Sequence, residues 1–542
     1  MFLEQLIDFL CWCVRWLITE MRCPSRQRRE ERQPGDGQAG NEDINLLVDT
    51  NAESNFYYKE FPHTIGSENE QDNSRVLISP VVIASNSTMA NGLPEFCFSW
   101  LFPHKSDRGP LLPSIARSFP TCATILVSAI AISGISGFFA YLDMETTDKC
   151  TGIESHRNNS IPIKVLKWKL IGESFQALLL NFWFPATVAL LFNGRVFLRE
   201  LKSLLCISLI MGLLVVIYKA YLYIYHGSHF KDSKYRYPGN AIFFIGIIIS
   251  CIPIARVTRQ STKSIAIKIG QIIIFSLLMY WGYRYWIVPW FNKQTSDINR
   301  AMIATILPVF SLIPVAVGKY IGLCHCTTFV EAEVSFVLIY FNYLIPVVLY
   351  RIMQAELTDL GLFVAFSVIH GVFNLIAQLT RHFRENLWGC ALRRFRSFGW
   401  RPVPYCSSCN RRLQADLEIQ DMLSQFTTVI LSQLYMMLYC FTTFNVSLSD
   451  EIKKIYARVL IGLAIEFVFA WLSTFIQIWL YNIAIKTVWY KSWLRHILAN
   501  VIMMVVAISY FSKVLLSILE LRIESNQYEY NLRNCTMPFT YK

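Results

Sequence analysis

The sequence predicts an all-α polytopic membrane protein with eleven transmembrane helices, within a range of 10–12. Three observations predict it. Apolar runs recur from Phe119 to near the C-terminus, most of them 18–24 residues long. That is enough to cross the roughly 30 Å of bilayer hydrocarbon. The 542-residue chain is 54% hydrophobic and 16% charged, where a soluble domain carries about 25% charged residues; its mean hydropathy is +0.37. Strict apolar–polar alternation is absent, so the spans read as helices and not as barrel strands.

The expected spans are 119–142, 170–192, 203–225, 240–255, 265–288, 301–323, 334–350, 359–379, 422–444, 459–481 and 496–518. Ahead of them, residues 1–23 carry Glu4 and Asp8 within a short apolar pattern, which reads as an amphipathic helix lying in the membrane interface. Cys11, Cys13 and Cys23 there are candidates for acylation or are free thiols. Residues 24–115 are polar and aperiodic, the pattern of a disordered cytosolic tail. Within it, Glu42 stands four residues before the pair Leu46–Leu47, and "YKEF" occupies Tyr58–Phe61. Both are patterns read by sorting adaptors, so adaptor proteins are expected partners and the plasma or endolysosomal membrane the expected location. The transmembrane domain is expected over 116–520, with a cytosolic Arg-rich loop at 382–421, and 521–542 as an external or lumenal tail.

The net charge of +12 does not imply nucleic acid, because much of the Lys and Arg lies between apolar runs, where it anchors helix ends to headgroups. Lys219, Lys268, Lys319 and Lys513 lie near span ends and are expected to snorkel. With a cytosolic N-terminus, the glycosylation sequons at Asn158, Asn445 and Asn534 all fall outside, and the Arg-rich loop falls inside. The same orientation leaves Cys150 and Cys535 as the thiols of the external segments, an expected disulfide. "CHC" at Cys324–Cys326 and "CSSC" at Cys406–Cys409 have zinc-compatible spacing but lie in separate loops without finger-like flanks. Acylated or free thiols are the plainer reading, and no metal is expected.

The second and seventh spans resemble each other. "SFQALLLNFWFP" (Ser174–Pro185) aligns without gaps on "SFVLIYFNYLIP" (Ser335–Pro346), and "SLIMG" at Ser208 then matches "SVIHG" at Ser367. Two spans five apart cross in opposite directions, the pattern of a 5+5 inverted repeat with one extra helix. A proline frees the carbonyl four residues earlier, here that of Asn181 or Asn342, so helix breaks are expected at Pro185 and Pro346. The blander reading is a pair of kinked packing helices.

Polar residues in the later spans form stripes. Gly462, Glu466, Ala470, Ser473 and Gln477 follow one another at helical spacing, as do Ser367, His370, Asn374 and Gln378. Both stripes should face the bundle, since a carboxylate at the bilayer centre costs roughly 2.5–3.5 kcal/mol on insertion scales. A buried carboxylic acid tends toward its neutral form, and imidazole titrates near neutrality. Glu173 shares a face with Ala177, Asn181 and Pro185 and is a candidate gate residue. In the first span, Ala129, Ser133 and Gly137 make a small-residue ladder suited to close helix packing.

Lacking a phosphate-cradling Gly-rich loop with Lys, the sequence argues against an ATP-driven pump and implies no cofactor. "GISG" (Gly134–Gly137) and "HGVFN" (His370–Asn374) resemble motifs of intramembrane serine proteases, but in reversed order, which argues against that family. The expected function is a proton-coupled secondary transporter of a small polar or ionic solute, not an enzyme. Glu466 is its expected coupling carboxylate, Asn181 and Asn342 its solute contacts, and His370, Asn374, Glu173, Gln378 and Gln477 the rest of the pathway. The alternatives are a lipid scramblase, receptor or trafficking scaffold, or a membrane-embedded acyltransferase using His370.

Overall fold

A computed structural model describes residues 110–148, 162–192, 194–226, 236–307, 318–319, 334–357, 359–386, 408–443 and 448–525. They belong to one unit, Phe102–Trp388 with Val403–Lys542; the other unit, Met1–Leu101 with Gly389–Pro402, lies outside the described residues. Outside them too are the expected interfacial helix at 1–23, Glu42, Leu46, Leu47, Asn158, Asn445, Asn534, Cys150, Cys535, Cys324, Cys326 and Cys406, together with the side chains of Cys409 and Asn342.

The described elements are helical. In chain order they are α1 (Leu111–Asp143), α2 (Ile163–Leu191), α3 (Gly194–Glu200), α4 (Ser203–His226), α5 (Arg236–Val257), α6 (Thr262–Gly282), α7 (Val288–Asn292), α8 (297–307), α9 (Phe336–Glu356), α10 (Leu360–Leu379), α11 (Ser408–Thr443), α12 (Leu448–Tyr481) and α13 (Ile485–Ser525). Single π-helical turns extend α1 (Met144–Asp148) and join α6 to α7 (Tyr283–Ile287). Among the described residues nine helical stretches are long and apolar enough to cross a membrane. Local chemistry sets several ends. Ser261 Oγ caps α6 by accepting from the Ser264 N–H, and the Asp359 carboxylate caps α10 from Gly361 and Leu362. Asn482, with φ of 50°, stops α12 in a left-handed conformation that Asn tolerates.

Cross-contacts fix the directions. Cys122 meets Met422, Ser133 Oγ donates to the Thr427 carbonyl at 3.3 Å, and Gly137 lies under Leu434, so α1 runs parallel to α11. Two members of the expected small-residue ladder, Ser133 and Gly137, are thus where α1 closes on α11. Ser473 meets Glu418 while Gly462 sits under Val429, so α12 runs antiparallel to α11. Phe336 stacks on His496 and Tyr340 bonds Asn500, so α9 runs parallel to α13. Tyr280 packs on Tyr510 and Asn292 bonds the Ser517 carbonyl, so α6–α7 also runs parallel to α13. The main core is shared by α1, α9, α11, α12 and α13, and a second cluster joins α2–α6.

Four sequence expectations are corrected. The first helix begins at Leu111, ahead of the expected boundary at 116, with Pro113 in its first turn, where its missing N–H costs nothing. The expected loop 382–421 is helical from Ser408 onward, because its polar side chains find partners inside the bundle. The expected breaks at Pro185 and Pro346 are absent: α2 and α9 run on past them. Bundle packing tolerates one lost backbone bond in a spanning helix. Among the described residues the 5+5 repeat has no counterpart in packing either. Helix α4 lies closely along α2 and α5, whereas its expected mate α10 lies closely along α12.

Helices α10 and α12 approach at Gly371, where a Cβ would overlap the Phe469 ring. Gly371→Ala is expected to lower stability by about 1–3 kcal/mol through overpacking. Heat-induced unfolding of the purified protein in detergent checks this, and an unchanged melt would contradict the close approach.

Candidate functional site

Three polar stripes meet in the bundle. Two are those expected on α10 and α12. The third is on α11, where Gln414, Glu418, Asp421 and Gln425 recur at spacings of four, three and four. At 1.5 Å per residue this stripe rises about 16 Å, half the hydrocarbon thickness.

The column can be read in tiers. In the first, Arg381 Nη1 donates to Gln477 Oε1 at 3.1 Å, and Nη2 donates to Gln414 Oε1. One turn along, Glu418 accepts from Gln378 Nε2 at 3.0 Å and from Ser473 Oγ at 2.7 Å. Next, Asp421 accepts from Gln425 Nε2 at 3.3 Å and is hydrogen-bonded to Tyr343; its charged neighbours are Glu418 and Glu466. In the last tier, Arg351 Nη2 donates to Glu466 Oε1 and, at 2.9 Å, to Gln425 Oε1. Arg351 Nη1 donates to Gln354 Oε1 at 2.8 Å, and Gln354 Nε2 donates to Ser367 Oγ at 2.6 Å. Arg351 and Glu466 are 2% and 3% exposed, so this ion pair is a buried one.

Beside the last tier, His370 stacks on Tyr350 with ring centroids 4.5 Å apart, and its Nε2 accepts from Asn374 Nδ2 at 3.2 Å. Thus Glu466, His370, Asn374, Gln378 and Gln477 are brought to one column. Glu173 and Asn181 are not. They sit on α2, where Asn181 Nδ2 bonds its own helix at Ala177 and its Cβ lies against Gly212 of α4. Glu173 takes Lys219 Nζ at 3.3 Å, with Lys513 at 4.0 Å. Lys219 and Lys513 therefore answer a buried carboxylate; Lys319 pairs with Glu385, and Lys268 donates to Gln260.

Glu466, the expected coupling carboxylate, is committed to the Arg351 guanidinium in a buried ion pair. Sequence reasoning missed Arg351 because the seventh span was ended at 350, one residue short. It missed Glu418 and Asp421 because their density of polar residues read as a loop up to 421, and Gln425, inside the expected span 422–444, because the rest of its stripe lay in that loop.

On the opposite side of α11 a second cluster ties it to α13. Asp416 Oδ2 accepts from Arg412 Nε at 3.2 Å and its Oδ1 faces His496 Nε2 at 3.2 Å. Arg412 Nη2 also reaches Ser492 Oγ at 3.2 Å, at the one non-helical residue within α13. Asp416→Ala would leave Arg412 without its carboxylate. The expected loss is about 3–5 kcal/mol, read as an earlier melt than that of a conservative surface variant. An unchanged melt would show the cluster to be dispensable.

No protein-family model, curated protein or solved structure matches this chain.

Proposed function

We propose that the chain is a secondary membrane carrier, not an enzyme, moving a small polar or ionic solute along the α10–α11–α12 column and coupling it to protons. One observation carries this reading. Along the column stand three carboxylates, Glu418, Asp421 and Glu466, and among the described residues only Glu466 is ion-paired, to Arg351. An unpaired carboxylate within a low-dielectric bundle is neutralised by a proton or a bound cation. Since Glu466 is committed to Arg351, the proposed proton-binding group is Asp421, which lies between Glu418 and Glu466.

Eleven crossings are part of the proposal. Nine are the long apolar stretches, and α11 is the tenth. The eleventh is the expected span 301–323. A cytosolic N-terminus is also proposed. With Gln176 at Asp143 and Gly172 under Thr146, α2 runs antiparallel to α1. The contact directions therefore bring the helix ends flanking the segments with Asn158, Asn445 and Asn534 (Asp148, Pro162, Thr443, Leu448 and Ser525) to one end of the bundle. That favours their shared exposure, and with it a Cys150–Cys535 disulfide. Residence in the plasma or endolysosomal membrane, directed by adaptors at Glu42, Leu46 and Leu47, completes the reading.

The test is uptake of radiolabelled polar solutes by vesicles holding the purified protein, with and without an imposed proton gradient. The carrier reading expects gradient-stimulated uptake. Rapid movement of labelled lipid between leaflets with no solute uptake would move the protein to the scramblase reading.

A further inference from the structure

The first two tiers hold opposite charges apart. Arg381 is 8% exposed, and its guanidinium is held by two neutral amide oxygens, those of Gln477 and Gln414. Among the described residues no carboxylate pairs with it. Glu418 is 4% exposed and is held by a neutral amide and a hydroxyl, with no cation paired to it among the described residues. The two tiers are one turn apart on all three helices: Gln414 to Glu418, Gln477 to Ser473, and Arg381 to Gln378. That is about 6 Å along α11.

Burying an unpaired charge costs several kcal/mol, and here two charges of opposite sign are both left without a counter-ion one turn apart. The amides around them are incomplete as well. Gln477 is fully buried, yet among the described residues its Nε2 has no hydrogen-bond partner, and neither does the buried Oε1 of Gln378. An unsatisfied amide in a membrane interior is expensive. One tier thus offers a cation with a free N–H donor, and the other an anion with a free carbonyl acceptor.

We propose that these tiers bind a zwitterion. Its anionic group lies on Arg381 and Gln477, and its protonated amine lies on Glu418 and Gln378. A free amino acid and the headgroup of an aminophospholipid share this chemistry. The proposal rests on the carrier reading for its purpose, but binding can be measured without transport.

The experiment is equilibrium binding of radiolabelled L-serine to the full-length protein in detergent, with competition by unlabelled L-serine, its methyl ester and its N-acetyl form. The lipid source is read by exchanging the protein into phosphatidylethanolamine or phosphatidylcholine nanodiscs and measuring the melt. Expected is displacement by the intact zwitterion with at least about tenfold preference over either single-charge analogue, since each loses one charged hydrogen-bonding end. Arg381→Gln should cancel the discrimination against the ester, and Glu418→Gln the discrimination against the N-acetyl form. If either variant fails to fold, analogue selectivity in the wild-type protein still decides. Stabilisation by phosphatidylethanolamine alone, without serine binding, would assign the headgroup as the source. Equal displacement by a single-charge analogue, or no response to serine or to phosphatidylethanolamine, overturns the proposal. Zwitterion binding without proton-driven uptake would leave this site standing and remove only the carrier reading.

Discussion

Glu466→Gln is expected to destabilise the bundle by about 3–5 kcal/mol, the cost of stranding a buried charge. The charge stranded is that of Arg351, 2% exposed, whose guanidinium would be left with neutral amide oxygens alone. Arg351→Met should cost a similar amount, by leaving Glu466 unpaired beside Glu418 and Asp421. The double variant Arg351→Met with Glu466→Leu should recover most of the loss, because a buried ion pair replaced by apolar side chains of similar volume is often neutral or stabilising. Melts of the four proteins in detergent form a double-mutant cycle whose coupling term isolates the pair. A Glu466→Gln melt equal to wild type would mean that the pair contributes nothing to the fold.

Asp421→Asn is expected to leave uptake running but blind to pH. One proton moving down one pH unit supplies about 1.4 kcal/mol, enough for about tenfold solute accumulation. Asn keeps the shape and can still meet Gln425 and Tyr343, but it cannot take up and release a proton. The variant should therefore equilibrate solute across the vesicle without concentrating it. The Arg351–Glu466 double variant makes the opposite case: its charge removal is balanced, so gradient dependence should persist. Accumulation by Asp421→Asn equal to wild type would shift the coupling role to Glu418.

The bundle was legible in the sequence wherever apolar runs were clean. The third span coincides with the apolar stretch Ser203–Tyr225, and the eighth agrees with Leu360–Leu379 to within a residue. The stripes on α10 and α12 were legible because small and polar residues recur at helical spacing in an otherwise apolar helix. The third stripe was not, for a physical reason. Helix α11 is enclosed by α1, α9, α12 and α13, so it needs no lipid-facing apolar surface. Its buried residues include Gln414, Asp416, Glu418, Gln420, Ser424 and Gln425, several of which find partners on other helices: Gln414 at Arg381, Glu418 at Ser473 and Gln420 at His496. Hydropathy counts such residues as exposed, and only spacing marks them as one face. Arg351 was lost for a related reason, since hydropathy ends a span at its first charge when the counter-charge lies 115 residues away. The Asn-x-x-x-Pro pairs misled, because residue likeness between two apolar helices says little about which neighbours each will find.

The central claim is that the column moves protons with solute, and solute-driven proton flux tests it most directly. Vesicles holding the purified protein would enclose a pH-sensitive dye, with solute added outside and no imposed pH gradient. The account predicts that solute entry changes the lumenal pH in wild-type vesicles, and that Asp421→Asn admits solute with no pH change. Solute entry at the wild-type rate without any lumenal pH change, in the wild-type protein itself, would contradict it.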